Sequence, residues 1–320
     1  MATINPTLKY VKIPKANPFR WLKAQNGLQD YFQNEISPFE DKATYVNPFE
    51  LTDPLNSQMV FDMDYVTGYT VQLINCHNVV MKTATTQIMY TDSDNWRYVH
   101  FNMIPGATFA EGIYYLKLSV TLYTGQIDYY ITEPIELRAT WENTVYIDYG
   151  HNENDFDMIW SRSGLLLSSS RIASISAQSK PFTALYRLRL HGGYWSKDYT
   201  PSSDDIVYND QSWNYKTVSS IPYEVRKVTF GDGGGIPNYI AGIINRIFAC
   251  SNIKINSEQI SKIDGAKLEQ INRPDRYPMA AWTIDIAKYS NDYADEYSQT
   301  MVQQPIGVDN MVIGFNFYVN

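Results

Sequence analysis

The chain has 320 residues, 14% of them aromatic, and a formal net charge of −8. So aromatic a composition excludes a chain that is disordered throughout, and the acidic balance argues against a nucleic-acid binder with a basic surface. No apolar run is long enough to span a membrane and residues 1–6 show no signal peptide, so we expect about two domains, made in the cytoplasm. Cys76 and Cys250 are too few and too far apart for a disulfide framework and are expected to be separate buried thiols.

Residues 1–55 are predicted to form an N-terminal arm with little regular alternation. Three times in this region an Asn or Ser is followed by Pro and Phe, and the three rings are Phe19, Phe39 and Phe49. Such a tripeptide either caps a short helix or begins a turn, and it places each ring on a segment too irregular to bury it locally. The arm therefore packs either on its own globular body or on a neighbouring copy of the chain.

Residues 56–138 are predicted to form an immunoglobulin-like β-sandwich. From Tyr114 to Leu122 apolar residues alternate with polar ones, which is the period of a half-buried strand. A turn at Thr124 and Gly125 leads to a second alternating run, which indicates a hairpin. Together with the upstream runs, roughly seven short strands fall within about 80 residues, as is typical of this sandwich.

Residues 139–290 are predicted to form a β-rich α+β domain with one packed helix at about 237–250. Strand-like alternation occurs at 186–190 and again at 282–286. Between them, isoleucines recur at helical spacing on one side, and they are Ile236, Ile240, Ile243, Ile244 and Ile247. This order of elements is not a parallel βαβ series.

Residues 291–320 are predicted to form a C-terminal arm with a terminal strand. After a polar, acidic stretch, apolar residues alternate from Met311 to Val319. A strand this apolar needs a sheet to join, because an unpaired edge invites aggregation. It either closes the sheet of its own domain or adds to the sheet of a neighbouring copy.

Motifs that carry chemistry are missing from the sequence. The four histidines form neither of the paired spacings that zinc hydrolases need. Residues 151–157 hold the most potential ligands but are typical of a solvated turn, and the glycine run 231–235 lacks the lysine and the βαβ unit of a phosphate loop. We therefore predict a protein that is not an enzyme, with no catalytic residue, no cofactor and no metal site.

Aromatic pairs leave a binding function open. Tyr194 with Trp195, and Trp213 with Tyr215, would stack on sugar rings if they are exposed. A β-rich chain also places such rings in its core and in cross-strand pairs. The alternative function is therefore a carbohydrate-binding, host-recognition module.

Short motifs between residues 130 and 290 occur in an order that resembles the virion proteins of crAss-like phages and related tailed phages. The motifs are TEPI at 132–135, YGHNENDFD at 149–157, VYNDQ at 207–211, PY at 222–223, GIP at 235–237, NRIFAC at 245–250, DGAK at 264–267 and YPMAAW at 277–282. The resemblance implies a structural role in the tail or neck region and supplies no catalytic residue. The N-terminal arm and the last strand lie outside it.

The resemblance and the two arms together predict a structural component of a tailed-phage virion, made in the host cytoplasm. Its copies would form a ring in the tail hub, tail barrel or neck, beside other tail, portal or neck proteins, and genome DNA would pass through without sequence-specific binding. Rings need heterologous contacts between copies, and a few buried aromatic rings dominate such contacts. The residues expected at the contacts are Phe19, Trp21, Phe39, Phe49, Phe315, Phe317 and Tyr318.

Overall fold

The protein is seen in a computed structural model that describes residues 10–14, 16–24, 45–150, 186–194, 200–209, 211, 213, 215–231, 234–250, 252–263, 265–271 and 279–288. The strands of the first domain are β1 (Val11–Lys12), β2 (Trp21–Ala24), β3 (Asn47–Glu50), β4 (Ser57–Asp62), β5 (Val66–Asn75), β6 (Val80–Thr83), β7 (Thr85–Thr91), β8 (Trp96–Asn102), β9 (Gly112–Leu122), β10 (Ile127–Thr132) and β11 (Ile135–Arg138). The elements of the second domain are β12 (Thr144–Gly150), β13 (Tyr186–Tyr194), β14 (Thr200–Asn209), β15 (Tyr215–Phe230), β16 (Ile236–Pro237), α1 (Asn238–Ile247), β17 (Asn252–Ile255), β18 (Glu258–Lys262), β19 (Glu269–Ile271) and β20 (Met279–Lys288).

The first domain is a sandwich of two sheets around one core. One sheet has the order β1-β4-β8-β7, and in the other β10 pairs with β9, β9 with β5 and β5 with β6. When β1, β4, β5, β6, β7, β8, β9 and β10 are lettered A, B, C, C′, D, E, F and G, the two sheets have the strand orders A-B-E-D and G-F-C-C′ of the immunoglobulin arrangement. Inward residues of both sheets, among them Phe61, Phe101, Leu116 and Leu118, form a single buried cluster. Each such side chain contributes about 1.5–3 kcal/mol by leaving water.

The described parts of the predicted N-terminal arm belong to this domain. β1 pairs with β4, β2 with β10, and β3 runs parallel to β11. The side chains of Phe19, Trp21 and Phe49 are 2%, 9% and 0% exposed and lie in the core of the sandwich. Of the two alternatives for the predicted arm, the described parts therefore pack on the globular body of their own chain, because partners more than 30 positions away turn irregular segments into edge strands.

The second domain is a sheet that closes on itself. β15, β13, β12, β17, β18 and β20 pair in this order, and β20 pairs back with β15, always antiparallel. The helix α1 buries Ile240, Ile243, Ile244 and Ile247 against the apolar side of these strands. The mainly-β fold with one packed helix is therefore confirmed, and the helix ends three residues before the predicted end. Of the two cysteines, Cys250 is buried as predicted, whereas the prediction is wrong for Cys76, which is exposed.

A buried ionic cluster joins the two domains. Asp53, in the turn after β3, accepts hydrogen bonds from Arg189 Nε at 2.7 Å, Arg189 Nη2 at 3.0 Å and Arg187 Nη1 at 2.8 Å. Arg187 also holds Asp148 of β12 in a bidentate pair at 2.6 and 2.5 Å. The second carboxylate on Arg189 is Glu50, at 3.1 Å. Below we call these five residues the ionic cluster.

Hydrogen bonds from aromatic hydroxyl groups also cross the junction. The Tyr149 hydroxyl donates to the carbonyl oxygen of Ala16, and the Tyr186 hydroxyl lies 3.1 Å from His100 Nδ1. Burial raises the pKa of both tyrosines well above the usual value, because an ionised phenolate would lose its hydration there. Both rings therefore stay neutral at any ordinary pH.

Candidate interaction surface

Possible sites for chemistry are few in the described part of the chain. Within it, no group of three or more His, Cys, Asp or Glu side chains is placed to hold a metal ion. Residues 151–157, the sequence's densest ligand cluster, lie outside the described residues. Among the residues that the structure describes, no helix combines the length and the apolar character that crossing a membrane requires.

One shallow cavity of about 340 Å³ opens beside β19 and β20. Lys227 and Lys267 line it together with Glu269 and Asp285, and Lys227 Nζ lies 4.0 Å from Asp285 Oδ1. Two cations and two carboxylates balance each other, so the cavity selects neither an anion nor a cation.

The most prominent feature of the surface is the long hairpin formed by β14 and β15. β15 has 16 residues, and only its second half, from Glu224 onward, pairs with β20 and β13. Residues 215–223 have β14 as their single strand neighbour among the described residues. At about 3.3 Å per residue, this part of the ribbon is roughly 30 Å long.

Many large apolar side chains of this hairpin are exposed to solvent. The described residues include sixteen exposed large hydrophobic side chains, and seven of them lie here, each 52–80% exposed. We define the hairpin surface by these seven residues, which are Ile206, Val207, Tyr208, Trp213, Tyr215, Val218 and Ile221. The strand register distributes these side chains over both faces of the ribbon. A two-stranded ribbon is marginally stable in water on its own, and exposed apolar area marks interaction sites. The hairpin surface is therefore the best candidate for a binding surface on the described residues.

Trp213, in the turn of the hairpin, is held in an unfavourable backbone conformation. Its φ is 62°, in the left-handed region, and it is 80% exposed. A bulky side chain in that region costs on the order of 1 kcal/mol, whereas Gly or Asn is tolerated there. Among the described residues nothing buries the indole ring to offset this cost, so Trp213 is a candidate contact residue.

A second group of exposed apolar side chains lies on the first domain. β6 and β7 follow each other along the chain and are the last strands of their sheets among the described residues. Lys82 Nζ donates hydrogen bonds to the carbonyl oxygens of Ile104 and Pro105 at 2.6 and 3.1 Å, which fixes the 104–105 loop beside β6. We define the edge surface by its five exposed apolar residues, which are Val79, Val80, Met81, Ile88 and Ile104. The hairpin and edge surfaces thus hold twelve of the sixteen exposed side chains.

The seven residues predicted at contacts between copies are not part of either surface. Phe19, Trp21 and Phe49 are covered by their own chain, so in the folded protein they are not available to a neighbour. Phe39, Phe315, Phe317 and Tyr318 lie outside the described residues.

Of the aromatic pairs considered for sugar binding, Trp213 and Tyr215 are both highly exposed. Trp195 and the side chain of Tyr194 lie outside the described part. The sequence did contain a signal for the hairpin surface, namely the unbroken apolar run 206–208 in an otherwise polar strand. A half-buried strand shows alternation instead.

Comparison with known proteins adds no relative: the chain matches no family model, no curated protein and no solved structure. In the part of the chain that the structure describes, fold and surface define a mainly-β protein with one helix and an exposed apolar hairpin.

Proposed function

We propose that the protein is a structural component of a tailed-phage virion that forms a ring in the tail hub, tail barrel or neck. The observation that supports an assembly role is the hairpin surface, which leaves seven large apolar side chains in water. Solvent exposure of such a patch favours association, since each large apolar side chain gains about 1.5–3 kcal/mol on burial. The ordered motifs of the second domain support the virion class, and two of them, at 207–211 and 222–223, fall on this hairpin.

The charge of the chain suits a ring through which DNA moves. At −8 per copy, a ring concentrates negative charge, and like charge keeps phosphate groups from adhering. In this role the protein is non-catalytic, is made in the host cytoplasm and is incorporated beside tail, portal or neck proteins.

The test is the composition of phage particles whose genome encodes this chain. We expect mass spectrometry of purified particles to find the protein in a fixed copy number per particle, and electron microscopy to place it in the tail or neck. Particles that lack the protein while infected cells contain it would refute the proposal.

Carbohydrate binding is the second candidate function, and the exposure of Trp213 and Tyr215 favours it. Aromatic rings that stand in water at the end of a ribbon can stack on sugar faces. We expect Trp213→Ala to abolish binding on a glycan array if this function is real, whereas Tyr123→Ala, at an exposed site on the first domain, leaves it unchanged. No binding at millimolar sugar would dismiss this candidate.

A further inference from the structure

The two exposed apolar surfaces lie on different domains and differ in shape. The hairpin surface is a projecting ribbon, and the edge surface follows the open sides of two sheets. We propose that the hairpin surface of one copy docks on the edge surface of a second copy of this chain. This inference rests on the proposed ring function and names the contact that builds the ring.

The size of the hairpin surface fits a protein partner. A standard interface covers about 800 Å² on each partner. Tyr208, Trp213 and Tyr215 are 57%, 80% and 76% exposed. The register pairs Tyr208 with Lys216 and Asn209 with Tyr215, so Tyr208 and Tyr215 point to opposite faces of the ribbon. Since a buried aromatic residue covers about 150–250 Å², a partner on one face that also covers Trp213 buries on the order of 300 Å² from two rings. The aliphatic members on the same face add to this area.

The length of the two surfaces also matches. β14 has ten residues, and the edge surface runs from Val79 to Ile88 along the chain. Both segments are therefore at most about 33 Å long in extended form. Pro201 on β14 and Pro222 on β15 lack the N–H group that strand pairing needs, so side chains toward the tip carry the contact rather than a continuous backbone ladder.

Charge complementarity favours this occupant over a second hairpin. Residues 200–221 contain Asp204, Asp205 and Asp210 with one cation, Lys216. Residues 76–91 contain no acidic residue and carry Lys82, which is exposed beside Val80 and Met81. A contact between two hairpins would bring their aspartates together, whereas the net charge of the hairpin segment is opposite in sign to that of the edge segment. Exposed charges of this kind set orientation and partner choice more than affinity.

The topology of the contact explains why a ring and not a dimer results. A contact between two different surfaces leaves one free hairpin and one free edge at the ends of every open oligomer. Copies therefore add head to tail, and they form a ring when the rotation between neighbours closes the circle. A hairpin-to-hairpin contact would instead be satisfied in a two-fold dimer.

The experiment compares three double variants of the full chain in analytical ultracentrifugation. The hairpin variant is Ile206→Ser with Tyr215→Ser, and the edge variant is Val80→Ser with Ile88→Ser. The matched control is Tyr123→Ser with Ile127→Ser, which changes two exposed residues outside both surfaces. Circular dichroism melts establish that each variant is folded, which is expected because all six side chains are at least 44% exposed.

We expect the wild type and the control to form closed oligomers. Each of the other variants should raise the apparent dissociation constant by on the order of 100-fold, as the loss of two central contacts does. Mixing the hairpin variant with the edge variant should give one-to-one dimers and nothing larger, because the mixture contains one intact hairpin–edge contact. As a charge test, Asp204→Lys with Asp205→Lys should weaken assembly.

Several results would overturn the inference. An edge variant that assembles like the wild type excludes the edge surface, and mixed variants that form no heterodimer exclude the heterologous contact. A wild type that stays monomeric at 100 µM excludes the contact altogether, as does a hairpin that binds glycan but no second copy. The proposed virion function is judged separately, by particle composition, so it survives if the protein is found in particles that assemble through other residues.

Discussion

Replacing Asp53 by alanine should destabilise the protein more than any other single charge deletion in the ionic cluster. Asp53 is 0% exposed and accepts three hydrogen bonds from Arg187 and Arg189 plus one from the Glu50 backbone N–H at 2.8 Å. Without it, Arg187 keeps its bidentate partner Asp148, but Arg189, whose side chain is 5% exposed, keeps a single carboxylate, Glu50, and a hydrogen bond to the Thr144 hydroxyl. Breaking a buried pair in this way costs about 3–5 kcal/mol, because a charge remains buried without its partner.

The assay for this prediction is urea unfolding at pH 7, followed by circular dichroism. The control is Glu136→Ala, which removes a surface pair with Arg138 Nη2 at 2.5 Å and should cost less than about 1 kcal/mol. If Asp53→Ala costs no more than this control, the cluster does not hold the domains together and the reasoning fails.

Acid provides an independent check on the same residue. Burial alone would raise the pKa of Asp53, but hydrogen bonds from Arg189, the Glu50 backbone and Arg187 outweigh it and lower the pKa below the usual value of an aspartate. The folded state therefore favours the carboxylate, so its contribution is complete above the unfolded pKa and is lost as the pH falls through the lowered value. We expect the stability difference between wild type and Asp53→Asn to shrink below about pH 4.

Three further predictions concern stability elsewhere. Burial, with Asp128 adding to it, raises the pKa of Tyr130 to about 12, and burial also raises the pKa of Tyr149 and Tyr186. The unfolded chain therefore releases these phenol protons first, so the free energy of unfolding should fall as the pH rises above 10, and Tyr149→Phe should flatten that fall in urea titrations at pH 9 to 11. Gly192 has a φ of 147°, and a Cβ there would lie 2.1 Å from the Thr229 carbonyl oxygen, so Gly192→Ala should cost about 3 kcal/mol or more in a thermal melt, unlike Gly193→Ala, which meets nothing within 4 Å. Ile244→Ala in α1 should cost about 2–5 kcal/mol because it leaves a cavity, whereas the exposed Asn245→Ala should change stability by less than about 0.5 kcal/mol.

The elements that sequence could predict are those whose pattern is local. The alternation of β9 and β10 and the isoleucine spacing of α1 each report a single buried face, which the chain carries within a dozen residues. The strands β1, β2 and β3 have two to four residues and too little pattern to be seen. They exist because Val11 meets Phe61 and Asn47 meets Ile135, and no local propensity records such distant pairings.

The candidate site was hidden for a related reason. Period-two alternation predicts that one face of a strand is buried, but it does not identify the residues that bury it. In β15, residues from Glu224 onward also pair with β13 or β20, and the residues before it pair with β14 alone among the described strands. The aromatic residues Phe19 and Phe49 were expected at contacts between copies because their segments are irregular. In the structure their rings lie 5.5 Å apart in the sandwich core, since an irregular segment can still be anchored by its aromatic side chains.

Because Phe19 and Phe49 are buried, the hairpin surface and not the chain ends is the candidate contact between copies. In such an assembly the ionic cluster would also fix the orientation of the hairpin. In the proposed ring, the hairpin and edge surfaces lie on different domains, so the direction in which one copy would present its hairpin to the next depends on the angle between those domains. Arg187 and Arg189 of β13 grip Asp53 of the first domain, and in a ring a small error in that angle is multiplied by the number of subunits. A ring that closes therefore requires a junction that does not bend. Arginine–carboxylate pairs in bidentate geometry fix the angle between the two domains more strictly than an apolar contact, because their hydrogen bonds are directional.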